Sequence, residues 1–187
     1  MANRKKLIFF YLLVSILASC KRTPENSVTK IYLIPHAEAY PAFNGSLTWY
    51  GRLRAGDLMR WLQDSGVQRI YFNPFARCEH TADSLRAAKN IDTAYFRWDD
   101  SGTSLIHSLT EHQDYGKRLL VIALPEEIPG ILHALGVSKA AANFSDTAFD
   151  RGFIIIIDHG RVSATGIQYG RPPLPAHQTP SDNQYTE

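Results

Sequence analysis

Lys30-Ile31-Tyr32-Leu33-Ile34-Pro35-His36-Ala37-Glu38 is an apolar run rich in Ile and Tyr, closed by a proline and then a histidine. It reads as a buried first strand that delivers His36 to its carboxyl end. In open α/β sheets ligands bind at that end, because the loops leaving the strand tips form a crevice outside the sheet. Taken alone, the stretch fits a solvated loop histidine after an ordinary core strand equally well, so the residues downstream must decide.

Those residues alternate between strand and helix patterns. Ala39 to Ser46 has a loop composition, with Pro41, Asn44 and Gly45. Leu53, Leu58, Trp61 and Leu62 then fall at helical spacing behind a Thr48 N-cap. Gln68 to Phe72 reads as a strand, Phe75 to Ala88 as a helix, Thr93 to Phe96 as a weak strand and Ser101 to Tyr115 as a helix. Leu119-Leu120-Val121-Ile122-Ala123-Leu124 is a continuous apolar run, as expected of a central strand buried on both faces. Pro125-Glu126-Glu127 opens the next helix, with proline in the first turn and acids at the positive end of its dipole, and Gly136 stops it. Phe153 to Ile157 and Arg161 to Tyr169 complete the pattern as strands joined by the turn Asp158-His159-Gly160. Strands alternating with helices predict a three-layer α/β/α sandwich with a mainly parallel sheet and an antiparallel edge strand.

The N-terminus carries a different signal. A basic start, Arg4-Lys5-Lys6, precedes the apolar run Leu7 to Ala18, too short to span a bilayer comfortably and matched to the core of an export signal. Leu17-Ala18-Ser19-Cys20 resembles the lipobox of bacterial lipoproteins, which implies a signal peptide over 1–19 and a lipidated Cys20 as the first mature residue. A plain cleaved signal with a chance cysteine, or a short uncleaved anchor, are the alternatives. Residues 20–28 read as a polar linker reaching on the order of 25 to 30 Å when extended. The folded domain is expected over 29–169, and the proline-rich residues 170–187 as a disordered tail.

The 187 residues suit one domain, and the composition, 44% hydrophobic and 20% charged, is that of a globular protein. Removing Arg4, Lys5 and Lys6 from the 20 basic side chains leaves 17 against 18 acidic, a net charge of −1, so no basic field for nucleic acid remains. With Cys20 lipidated, Cys78 has no partner, and its place in a helical pattern marks it as a small buried hydrophobe.

Three blocks together resemble the histidine phosphatase superfamily, the phosphoglycerate-mutase-like fold, in its short form without an inserted cap. Ile31 to Glu38 is similar to the family strand that ends in Arg-His-Gly or Arg-His-Ala-Glu. Leu47-Thr48-Trp49-Tyr50-Gly51-Arg52-Leu53-Arg54-Ala55 is similar to the Leu-Thr-x-x-Gly-x-x-Ala helix. Asn73-Pro74-Phe75-Ala76-Arg77 followed by Thr81-Ala82 is similar to the Ser-Pro-x-x-Arg-x-x-x-Thr-Ala motif. Leu119 to Gly136 fits the central strand and the helix after it.

The resemblance implies a phosphohistidine mechanism in which His36 is the nucleophile and Arg77 grips phosphoryl oxygens. Arginine suits that task because its planar fork holds two oxygens at once. Two further pocket positions depart from the family pattern. Pro35 stands where a clamping arginine belongs and offers no donor, and Leu124 stands where a second histidine belongs. Losing one oxyanion donor costs about 2.7 to 4 kcal/mol, so two cost roughly 5 to 8 kcal/mol, or 10⁴ to 10⁶ in rate if the losses add. Glu126 and Glu127 at a helix N-terminus further occupy an anion site with carboxylates of their own.

The expectation is therefore an envelope protein, lipid-anchored to a bacterial membrane, with a histidine-phosphatase-like domain whose phosphatase activity is impaired or lost. The alternatives are a working phosphomonoester hydrolase acting through phosphohistidine on His36, and a structural envelope protein. Neither cofactor nor metal is expected, because no metal-ligand spacing links His36, Glu38, His80, Glu126 and Glu127. The partners expected are a phosphorylated small molecule or phosphoprotein and, through Cys20, the membrane.

Overall fold

The computed structural model describes residues 28–137, 144 and 148–172. The expected signal peptide, all of the linker but Val28, and the chain beyond 172 lie outside the described residues. Six strands form one sheet: β1 (Thr29–Pro35), β2 (Arg69–Phe72), β3 (Asp92–Tyr95), β4 (Arg118–Ala123), β5 (Arg151–Asp158) and β6 (Arg161–Gln168). Their order is β3-β2-β4-β1-β5-β6. β3, β2, β4 and β1 run parallel, while β5 lies antiparallel to both β1 and β6. The mainly parallel α/β/α sandwich expected from the alternating pattern is thus the architecture observed. Among the described residues no helix is long and apolar enough to cross a membrane.

Alternating side chains of the central strands feed two cores. Ile31, Leu33, Leu119 and Val121 face α3 (Thr103–Glu111) and α4 (Ile128–Ala134), burying Leu105, Leu109, Ile128, Ile131 and Leu132. Tyr32, Ile34, Leu120 and Ile122 face α1 (Trp49–Leu62) and α2 (Ala76–Lys89), burying Leu58, Leu62, Cys78, Ala82 and Leu85. Strands buried on both faces have no reason to alternate polar with apolar, which is why β4 reads as a continuous apolar run. Cys78 is fully buried and burial drives its thiol far up in pKa, so it packs as the small hydrophobe expected.

Several element ends differ from the sequence reading. Pro125–Glu127 forms one 3₁₀ turn that leads into α4, rather than the first turn of an α-helix. The helix expected over Ser101 to Tyr115 begins at Thr103, where the Asp99 carboxylate accepts from the N–H groups of Ser101, Thr103 and Ser104. Burial pushes the Asp99 carboxyl up, but the hydrogen bonds from Ser101, Ser104 and Thr103 outweigh it and hold the carboxyl far below the usual range. At the C-terminus, domain contacts run three residues past the expected boundary. Arg171 pairs with Asp57 (Nε–Oδ2 2.7 Å), its carbonyl accepts from Arg54 Nη1 (2.8 Å), and the Pro172 carbonyl accepts from Tyr50.

Two connections matter for function. The chain leaves β1 toward the α1 face, and leaves β4, its parallel neighbour, toward the α4 face. Loops that diverge to opposite faces open a crevice between two strand tips. The start of α1 is held against the β1 tip because Thr48 Oγ1 accepts from Gly51 N (3.1 Å) while Thr48 N donates to Glu38 O (2.9 Å). A Cβ on Gly51 would stand 2.0 Å from Glu38 O, so the glycine of the Leu-Thr-x-x-Gly pattern is required by this approach. Gly51→Ala is expected to lower stability by about 1 to 3 kcal/mol, read as a drop in urea midpoint with an unchanged m-value.

Candidate functional site

The site lies at the tips of β1 and β4. His36 follows directly on β1, and its N–H donates to Ala123 O (3.0 Å), the end of β4. The residue is 7% exposed, with the Phe149 ring beside its imidazole at 5.8 Å between centroids. Burial lowers the His36 pKa below its ordinary value, and the Arg77 charge lowers it further against the opposing Ala37 carbonyl, Glu126 and Glu38. At neutral pH the imidazole is uncharged. Its Nδ1 lies 2.7 Å from Ala37 O, and because a carbonyl only accepts, Nδ1 carries the proton. Nε2 is left with the lone pair, the form a nitrogen nucleophile requires.

Arg77 is brought to the same neighbourhood by α2. Ala37 N donates to Thr81 Oγ1 (2.9 Å), whose hydroxyl donates in turn to Arg77 O (2.7 Å), so the Thr of the Arg-x-x-x-Thr pattern bolts the strand tip to the helix. The Arg77 guanidinium is turned toward the loop after β1: Nη1 donates to Phe43 O (2.9 Å) and the group lies 4.8 Å from the Phe75 ring centroid. Asn44 Oδ1, from the same loop, accepts from Ala76 N (2.7 Å). No local pattern in the sequence announced this contact.

The two positions where the sequence departs from the histidine-phosphatase pattern it resembles carry no side-chain donor. Pro35 ends β1 opposite Ala123 in the ladder. Leu124 is buried in the α1/α2 core with Ile34 and Phe72. Its N–H donates to Glu127 Oε2 (2.9 Å), while Asp99 N and Asn73 Nδ2 donate to Glu127 Oε1 (both 3.3 Å). Glu127 is therefore an internal acceptor for the turn after β4. Glu126, one residue earlier, is exposed and close enough to His36 for its charge to act on the ring. Glu38 is neutralised by Arg54, which is fully buried and donates to both carboxylate oxygens (Nε–Oε2 2.8 Å, Nη2–Oε1 2.6 Å). Arg52 bonds Leu47 O (3.1 Å) and lines a cleft of about 390 Å³ between α1 and α2 with His80 and Ser84. Among the described residues no cluster of three or more His, Cys, Asp or Glu is placed to hold a metal.

The comparisons with known proteins rest on this fold. No protein-family model and no curated protein matches the chain. Solved structures do. SixA of Agrobacterium tumefaciens, a candidate phosphohistidine phosphatase, is similar at 22% identity and a TM-score of 0.58, covering 77% of this chain and 98% of its own. A phosphoserine phosphatase of Entamoeba histolytica, solved with phosphoserine, is similar at 15% identity and 0.56, covering 75% and 96%. A mycobacterial glucosyl-3-phosphoglycerate phosphatase is similar at 11% and 0.60, covering 76% and 98%. The fold is that of the histidine phosphatases. Identities this low speak to the fold alone, and the chemistry must be argued from the side chains above.

Glu127 supplies a test of the site's electrostatics. Burial pushes its carboxyl up to about 7 from an ordinary value of 4.5, against the three N–H donors that favour the charged form. A raised carboxyl pKa means the folded state holds a proton that the unfolded state has released. Stability from this group is therefore full below about pH 4.5 and is lost as pH rises to about 7. The difference in unfolding free energy between pH 5 and pH 7 is expected to shrink in Glu127→Gln, measured by urea denaturation at both values.

Proposed function

We propose that the chain is an exported protein, lipid-anchored through Cys20 in the bacterial cell envelope. Its domain descends from the histidine phosphatases, has lost efficient phosphatase activity, and retains a role in binding a phosphorylated small molecule or phosphoprotein. The observation that carries this reading is the tip of β4: Leu124 packs into the core where a second phosphate-binding histidine would stand, and Glu127 already accepts from the Leu124 N–H. Pro35 at the β1 tip adds a second position without a donor. Glu126 adds a negative charge beside His36, so an incoming dianion meets one arginine and at least one carboxylate instead of a cationic cradle.

A second reading, a working phosphomonoester hydrolase, has its own support in the His36 tautomer, with Nε2 unprotonated. In that reaction Nε2 would bond to phosphorus as the ester P–O bond breaks. The leaving oxygen would take a proton from solvent, and a water oxygen would then bond to phosphorus as the Nε2–P bond breaks, releasing phosphate and a solvent proton and restoring the Nε2 lone pair. Arg77 would be the sole retained arginine of the clamp.

The two readings part on one assay. Full-length protein in detergent micelles is expected to hydrolyse p-nitrophenyl phosphate no faster than His36→Ala. Turnover that the wild type shows and His36→Ala lacks would establish the hydrolase instead. The anchor is tested separately: the wild type is expected to incorporate a radiolabelled fatty acid that Cys20→Ala does not, and equal or absent incorporation in both would remove lipidation at Cys20.

A further inference from the structure

The loop between β1 and α1 is closed at its base and lightly held above it. Ala39 and Leu47 form an antiparallel bridge, Tyr40 N donates to Ser46 O (3.0 Å), and Leu47 is buried. Between these points Pro41, Ala42, Phe43 and Asn44 are exposed, and the Phe43 side chain is 88% exposed, the most open of the large apolar residues described. Apolar burial does not hold the loop tip in place. What holds it is two hydrogen bonds within the loop, Ala42 N to Tyr40 O (2.8 Å) and Gly45 N to Ala42 O (3.1 Å), and a small set of contacts at the start of α2: Phe43 O with Arg77 Nη1 (2.9 Å), Asn44 Oδ1 with Ala76 N (2.7 Å), and the edge of the Phe43 ring against Phe75 (5.9 Å).

Both polar contacts present a neutral oxygen to a group that favours an anion. The guanidinium of Arg77 bonds a phosphoryl oxygen more strongly than a carbonyl, because both partners of that bond are then charged. In its place the protein supplies oxygens of its own, on a segment whose two ends are closed against each other at the Tyr40–Ser46 base. We propose that the loop is an internal plug: the Phe43 carbonyl occupies an Arg77 N–H, and the Asn44 amide oxygen the neighbouring Ala76 N–H, that a phosphate monoester would take, and the loop lifts when such a ligand is held. This rests on the assignment of Arg77 as the phosphate-gripping arginine. It is independent of whether His36 turns the ligand over. The plug supplies a cause of weak phosphate binding separate from Pro35 and Leu124, and one that is reversible.

Replacing residues 41–45 by a two-residue Asn-Gly turn removes the plug while keeping the Tyr40–Ser46 closure, since that dipeptide closes two-residue hairpins. Affinity for inorganic phosphate and for phenyl phosphate is read by calorimetric titration of the full chain in detergent micelles, with circular dichroism confirming the fold. The shortened loop is expected to bind both about tenfold more tightly than wild type, a change of about 1.4 kcal/mol. Adding Arg77→Ala is expected to abolish that gain. Asn44→Ala, a milder change that keeps the loop, is expected to tighten binding two- to threefold. Unchanged affinity in the shortened loop, or a gain that survives Arg77→Ala, overturns the plug. If the shortened chain does not fold, unchanged affinity in Asn44→Ala overturns it. Turnover is scored apart from binding: tighter binding without hydrolysis sustains the plug and the loss of activity together, while tighter binding with His36-dependent hydrolysis sustains the plug and removes the loss of activity.

Discussion

The backbone of β1 is hydrogen-bonded along both edges, to β4 in parallel and to β5 in antiparallel register, while its side chains enter the cores on both faces of the sheet. A strand held on four sides has no freedom to slide, since a shift of one residue would exchange its two buried sets of side chains. The His36 N–H bonded to Ala123 O extends that register one residue beyond the strand, so the imidazole position follows from the sheet itself. Thr81 and Gly51 then bring α2 and α1 up to the same tip. The crevice takes its geometry from a strand paired on both edges and buried on both faces.

Around that fixed imidazole, polar groups that could serve an external anion are largely served from within. Glu127 accepts from the Leu124 N–H, Phe43 O accepts from Arg77, and Asn44 accepts from the first turn of α2. A buried donor must find an acceptor, and the Leu124 N–H finds one within the chain. Asn73 is less fully served: its amide nitrogen reaches Phe96 O and Glu127, while among the described residues its buried Oδ1 has no hydrogen-bond partner.

The electrostatics of His36 and Glu127 point in opposite directions for one reason. Both are desolvated, and desolvation disfavours whichever form is charged, so the base loses its proton more readily and the acid keeps it longer. An uncharged imidazole has a nucleophilic nitrogen whatever donors surround it. Stabilising a phosphoryl transition state needs more than that nitrogen, because it depends on several donors converging on one phosphoryl group.

The amino-acid sequence alone determined the alternation of strands and helices, the central position of Leu119 to Ala123, the Thr48 cap and the arrival of His36 at a strand tip. All of these follow from periodicity, capping and chain order within a few residues. The absence of donors at Pro35 and Leu124 was equally visible, since side-chain chemistry at a position needs no coordinates. Only the tertiary structure decided that Arg54 is buried against Glu38, that Phe149 lies beside His36, that Asn44 caps a helix 32 residues away, and that Arg171 and Pro172 belong to the domain. Those contacts join residues distant along the chain whose local sequence carries no periodic signal. They arise from the packing of whole elements, and the short polar loops take whatever partners that packing leaves within reach.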